Sequence, residues 1–160
     1  MTGLQVDDYA DGVAALLERF GVALISPGAG APVEVLVEDD GSLSFELVGS
    51  LPDARTPARS TVAVRELFRT IGQGQYERSD YEYELIDRER SFRRAFHLHD
   101  PEWFQRRFLV VVHEHCEQPL GEPACDHVQG DPIRDGFAGV VALMDAWTDD
   151  ADCHGRRCLD

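Results

Sequence analysis

Between residues 7 and 21, the apolar positions Tyr9, Val13, Leu16, Leu17 and Phe20 recur at helical spacing. Asp7 or Asp8 stands where a helix is capped, and Gly21 stands where a left-handed terminal residue belongs. This predicts an amphipathic helix, followed by a short strand over Val22–Ile25 and a Gly/Pro/Ala loop over Ser26–Pro32. The pattern then changes to period two: Val33, Val35 and Val37 alternate, as do Leu43, Phe45 and Leu47 beyond Asp39-Asp40-Gly41. A three-residue loop pairs Val37 with Leu43 and puts these side chains on one face, whereas a two-residue Asp-Gly turn would set Val37 against Ser44. The hydrophobic pattern therefore selects the longer loop, with Gly41 at its left-handed position.

Gly49–Arg59 has no periodicity. Val64, Leu67, Phe68 and Ile71 form an i, i+3, i+4, i+7 stripe after Ser60 or Thr61 and before Gly72, which predicts a second helix joined by a linker, Gln73–Asp80. Asp131 as cap, Pro132 in the first turn and Ile133, Phe137, Val140, Val141, Met144 and Trp147 predict a third. Between them Tyr81–Asp87, Phe92–His99 and Phe108–His115 all alternate, with Arg88–Ser91 as a hairpin loop. The expected fold is α+β: an antiparallel sheet, made of the N-terminal hairpin and a C-terminal three-stranded meander, covered on one face by three amphipathic helices. Residues 1–147 form its single domain and 148–160 a flexible acidic tail.

The meander carries the candidate chemistry. Pairing Asp87 with Phe92 sets Tyr81, Tyr83 and Leu85 opposite Leu98, Phe96 and Arg94. For the third strand, the nearest register that keeps Phe108, Val110 and Val112 with Phe96 and Leu98 sets Ala95 opposite His113 and Arg93 opposite His115. The opposite face then carries Glu82, Glu84, Arg93, His97, His99, His113 and His115, and small Ala95 leaves space into which Glu84, His97 and His113 lean as candidate catalytic groups. A metal site would use His113, His115, Cys125 and His127: alternate strand positions project to one side, and the Pro-containing loop 117–124 is long enough to return Cys125 and His127. The ligand would be zinc or another transition metal. The competing reading makes these histidines ordinary polar residues of a solvated face and Cys116 and Cys125 small buried side chains. Arg93, Arg106 and Arg107 form a candidate anion site, against which stands pairing of these arginines with neighbouring glutamates. Cys153, His154 and Cys158 could bind a metal or pair, but free thiols are the expected state.

Charge narrows the function. The 160 residues hold 30 acidic and 15 basic side chains, a net charge of −15, which argues against non-specific DNA binding. Every basic residue is Arg, so Schiff-base lysine chemistry and a P-loop are excluded, and no nucleotide-cofactor motif occurs. No apolar run reaches the roughly 18 residues of a membrane span, and the N-terminus has no signal pattern, so a soluble cytoplasmic protein is expected. The leading expectation is a small binding or regulatory protein, inhibitor- or immunity-like, whose His-rich sheet face meets a protein partner with a basic surface. The alternative is a metal- or His-dependent hydrolase or nuclease, for which an RNA or nucleotide would be the anionic substrate.

Overall fold

The computed structural model describes residues 1–52, 60–98, 112–121, 125–128 and 132–148, without the side chains of residues 113 and 125–128. Helix α1 (Gly3–Arg19) is capped by Thr2, whose side chain accepts from Gln5 N while Gln5 Oε1 accepts from Thr2 N at 2.7 Å. It therefore begins a turn earlier than the aspartates predict. Gly21 takes φ +84° at its end, as the sequence requires. Strand β1 (Ala23–Ser26) follows, then β2 (Leu36–Val37), β3 (Leu43–Ser50), β4 (Ser60–Gly72), β5 (Gln75–Asp87), β6 (Phe92–Leu98), β7 (Val112–Glu117) and β8 (Cys125–Val128). Helix α2 (Gly136–Thr148) closes the described chain. The strands make one open antiparallel sheet with the path β1-β3-β4-β5-β6-β7-β8, and β2 pairs with β3 beside that path.

The β2–β3 turn keeps the expected register: Val37 faces Leu43, Glu38 N donates to Ser42 O, and Gly41 has φ +82°. The hairpin is shorter than expected, since β2 holds two residues and both are exposed, while Leu43, Phe45 and Leu47 of β3 are buried. Tyr81–Asp87 and Phe92–Leu98 pair in the predicted register, from Tyr81 opposite Leu98 to Asp87 opposite Phe92.

The largest correction concerns residues 60–72. Two helices, not three, lie among the described residues, and the expected second helix is strand β4. Its buried row is Val62, Val64, Glu66 and Phe68. A carboxylate at a core position breaks the apolar alternation and leaves a false helical stripe, although the β-branched run Thr61, Val62, Val64 favours a strand. The expected linker 73–80 is mostly strand as well, because β4 and β5 form a 13-residue-by-13-residue hairpin that turns at Gln73-Gly74, where Gly74 has φ +66°. This hairpin joins the N-terminal and C-terminal strands into one sheet.

A second correction is the β6–β7 register. Val112 faces Leu98, His113 faces His97 and His115 faces Ala95, two residues from the expected pairing. An even shift leaves every side chain on its expected face. Residues 108–111 of the expected third strand, and the tail from 149 onward, lie outside the described residues.

Both helices lie on one side of the sheet. Val6, Ala10, Val13 and Leu17 of α1 and Val140, Leu143 and Met144 of α2 share one core with Phe45, Leu47, Val62, Val64, Phe68, Tyr81, Tyr83 and Leu85. Asp135 caps α2, accepting from Ala138 N at 2.9 Å. The helix thus starts four residues beyond the expected Asp131–Pro132 cap.

Candidate functional site

Alternation along β3–β7 places a second set of residues on the side away from the helices, and cross-strand register arranges them in rows. One row runs Ser44, Leu67, Asp80, and the next runs Glu46, Arg65, Glu82, His97, His113. The following rows hold Val48, Ala63, Glu84, Ala95, His115 and then Ile86, Arg93, Glu117. Two guanidinium groups each bridge a pair of carboxylates. Arg65 reaches Glu46 at 2.6 Å and Glu82 at 3.1 Å, half exposed. Arg93 reaches Glu84 at 2.7 Å and Glu117 at 2.6 Å, at 24% side-chain exposure. Burial works against the charge of Arg93, but hydrogen bonds to Glu117 and Glu84 outweigh it and raise its pKa further.

The structure therefore gathers several of the expected site residues. Glu84 and Arg93 are bound to each other, and the His97 and His115 rings meet edge to face with centroids 4.8 Å apart beside Ala95. His97 is buried at 7% exposure. His113 is the register partner of His97, so the three candidate catalytic positions Glu84, His97 and His113 share this face. His115 holds the place opposite Ala95 that the sequence suggested for His113. Arg106 and Arg107 of the expected anion site lie outside the described residues.

The four expected metal-ligand positions divide between the two faces of the sheet. In the β7–β8 register Cys116 faces Cys125, His115 faces Asp126 and Glu114 faces His127. Positions 125 and 127 thus fall on the face of Cys116 and Glu114, and positions 113 and 115 on the other. Cys116, 1% exposed, is disulfide-bonded. Among the described residues, no group of three His, Cys, Asp or Glu side chains is arranged to hold a metal ion.

Behind the open face lie buried charges that pattern reading missed. Glu66 Oε1 accepts from Tyr9 Oη at 3.0 Å, from Arg78 Nη1 at 2.8 Å and from Tyr83 Oη. Arg78 also donates to Tyr83 Oη at 2.6 Å and to Ile133 O, and Gly136 N donates to Tyr9 Oη. This network ties both helices to the middle of the sheet. Arg78 reaches it because β5 carries a bulge: Leu67 faces Asp80 but Phe68 faces Arg78, so Ser79 is an extra residue that moves position 78 to the core side. Burial raises the Glu66 pKa, outweighing the hydrogen bonds from Tyr83 and Arg78 that favour its charged form. Tyr83 and Tyr9 are raised as well, by burial first and by the neighbouring Glu66 charge second. A second buried pair joins Arg94 to Glu114, with Arg94 Nη1 donating to Cys116 Sγ at 3.1 Å. Its signal is in the sequence: opposite charges at the core parity of two adjacent strands.

On the open face a hollow of about 340 Å³ lies over β3, β4 and β5, beside Leu36 and Leu67 and edged by Glu46, Arg65, Asp80 and Glu82. No family model matches this chain, and no curated protein or solved structure is significantly similar to it.

Proposed function

We propose that the protein is a binding module that holds a basic protein partner on the open face of its sheet. The observation that carries this reading is the sidedness of the fold. Among the described residues both helices pack on one side, and the other side of β3–β7 presents Glu46, Glu77, Asp80, Glu82, Glu84 and Glu117 against Arg65, Arg69 and Arg93. A surplus of three carboxylates on a chain of net charge −15 favours a positively charged partner and accelerates its approach. Partly accessible Leu67 and Ile86 add apolar contact.

The hydrolase or nuclease reading draws on His97, His115 and Glu84. Arg93 weighs for binding instead, since a guanidinium already clasped by Glu84 and Glu117 has to be released before it can take an anionic substrate. The disulfide at Cys116 supports an oxidising compartment as the working place rather than the cytoplasm. Thiol titration of denatured, unreduced protein checks that point, with Cys116 expected to be unreactive.

The test of the binding reading compares two double variants with equal charge change. Glu46→Lys with Glu82→Lys alters the open face, and Asp7→Lys with Asp8→Lys alters exposed positions of α1. A partner isolated by affinity capture should bind with an association rate that falls steeply with salt. Its affinity should drop at least tenfold for the sheet-face variant and change little for the helix variant. Equal losses in both would reduce the effect to bulk charge and remove the face from the argument.

A further inference from the structure

We infer that the hollow over β3–β5 is the anchor point of this face, and that it takes an apolar side chain from a segment of the partner in which that residue is flanked by arginine or lysine. The inference rests on the binding reading above and assigns the chemistry of its contact. Three observations carry it. First, the hollow of about 340 Å³ is concave and partly apolar: Leu67 lies in its row of Ser44 and Asp80, while Leu36, 51% exposed, stands at its margin. A concave site with an apolar lining and a few polar groups at its rim suits a single anchoring side chain.

Second, the rim is negative. Glu46, Asp80 and Glu82 against Arg65 leave a net charge of −2 at the hollow. The two glutamates share Arg65, so each retains acceptor capacity, and the Asp80 carboxylate forms no hydrogen bond or ion pair among the described residues. Guanidinium or ammonium groups on either side of the anchor would meet Asp80 at one end and the Glu46–Arg65–Glu82 row at the other. Third, a second copy of this chain is a poor occupant, because two molecules of net charge −15 repel.

The probe is a fluorescein-labelled peptide of sequence Arg-Ala-Leu-Arg, titrated into the full chain by fluorescence anisotropy. Controls replace its Leu by Gly or both Arg by Glu. Binding should weaken at least fivefold with Gly and be lost with Glu. Asp80→Asn should weaken it about threefold at low salt and not at high salt, and Leu67→Ala should weaken it at both. Circular dichroism and melting of each variant check that the fold is retained, and amide exchange on the wild-type complex gives a readout independent of the variants, with protection expected at residues 44–46, 65–67 and 80–82. The inference is overturned if the Leu and Gly peptides bind alike, if protection lies elsewhere, or if no peptide binds. Should the partner still lose affinity to the Glu46→Lys, Glu82→Lys variant in that event, the binding face stands and only its anchor is wrong. Should the partner ignore both, the binding reading has failed as well.

Discussion

The same strands carry ion pairs on both faces, and the two sets do different work. On the helix side, Glu66 gathers Tyr9, Tyr83 and Arg78 out of water and binds α1, α2 and the sheet at one point. On the open side, Arg65 and Arg93 bridge carboxylates in rows that water still reaches. Desolvated pairs are costly to break because each orphaned partner stays buried, whereas exposed pairs contribute little to stability and remain free to exchange partners. The comparison teaches that the first set specifies the fold and the second is available for recognition.

Substitutions can test that division by the size of their effects. The largest is expected from Glu66→Leu, which removes the acceptor from two tyrosines and a buried guanidinium and should cost about 3–5 kcal/mol in denaturant unfolding. Glu66→Gln keeps an acceptor and should cost distinctly less. If the two cost the same, the network is not what the position supplies. Gly139→Ala comes next: a methyl group there would press on the Tyr83 ring closer than van der Waals contact permits, so a loss of about 2–3 kcal/mol is expected despite the better helix propensity of Ala. An unchanged melting temperature would show that Tyr83 can move away from Glu66.

Asp87 gives the third measurement, at the end of the sheet. Burial pushes its pKa up, but hydrogen bonds from Arg90, Trp147 and Ser60 outweigh that and lower it from 3.8 to about 2. A depressed carboxylate contributes stability that is complete above the unfolded value and is lost as pH falls from about 4 through about 2, about 2 kcal/mol here. Glu66, with its raised pKa, acts with the opposite sign, becoming more favourable to the fold as acid protonates it. Asp87→Asn should therefore flatten the acid limb of the stability curve, and an unchanged limb would assign acid sensitivity to other groups. On the open face, Arg93→Met should cost about 1 kcal/mol. Arg65→Ala, at a half-exposed position, should cost about 0.5 kcal/mol or less in the same unfolding experiment. A loss at Arg65 comparable to that at Glu66 would erase the distinction between the faces.

What the sequence disclosed follows the same division. Where apolar residues alternate, as in Tyr81–Leu85 and, apart from Arg94, in Phe92–Leu98, pairing and facing were readable, and so was the side that carries Glu84, Arg93 and His97. Gly41 disclosed its turn because the hydrophobic pattern and the loop agreed. Strand β4 was hidden because Glu66 occupies a core position and Ser79 breaks the period of its partner strand. Buried charge is satisfied by residues distant in sequence, here Tyr9, Arg78 and Tyr83, which no local pattern displays. The β6–β7 pairing slipped by two because alternation fixes which side a residue faces and not its exact neighbour, and two residues more or less leave the facing unchanged. The expected metal ligands depended on a different relation, the return of residues 125–128 to strand β7, which alternation does not display.

The extra residue at Ser79 acts as a phase shifter for the tip of the β4–β5 hairpin. Beyond it, Tyr76 and Arg78 turn toward the helices and Gln75 and Glu77 away, the reverse of what counting back from Tyr81 and Tyr83 would give. The chain terminus depends on that reversal: Met1 exchanges backbone hydrogen bonds with Tyr76, Thr2 bridges Gln75, and the Tyr76 ring lies against Gly3. Deleting one residue at this point would thus do more than shorten a strand. It would swap inside for outside over four positions, withdraw Arg78 from Glu66 and detach the first turn of α1, so that a single codon sets the handover between the two ends of the first 80 residues.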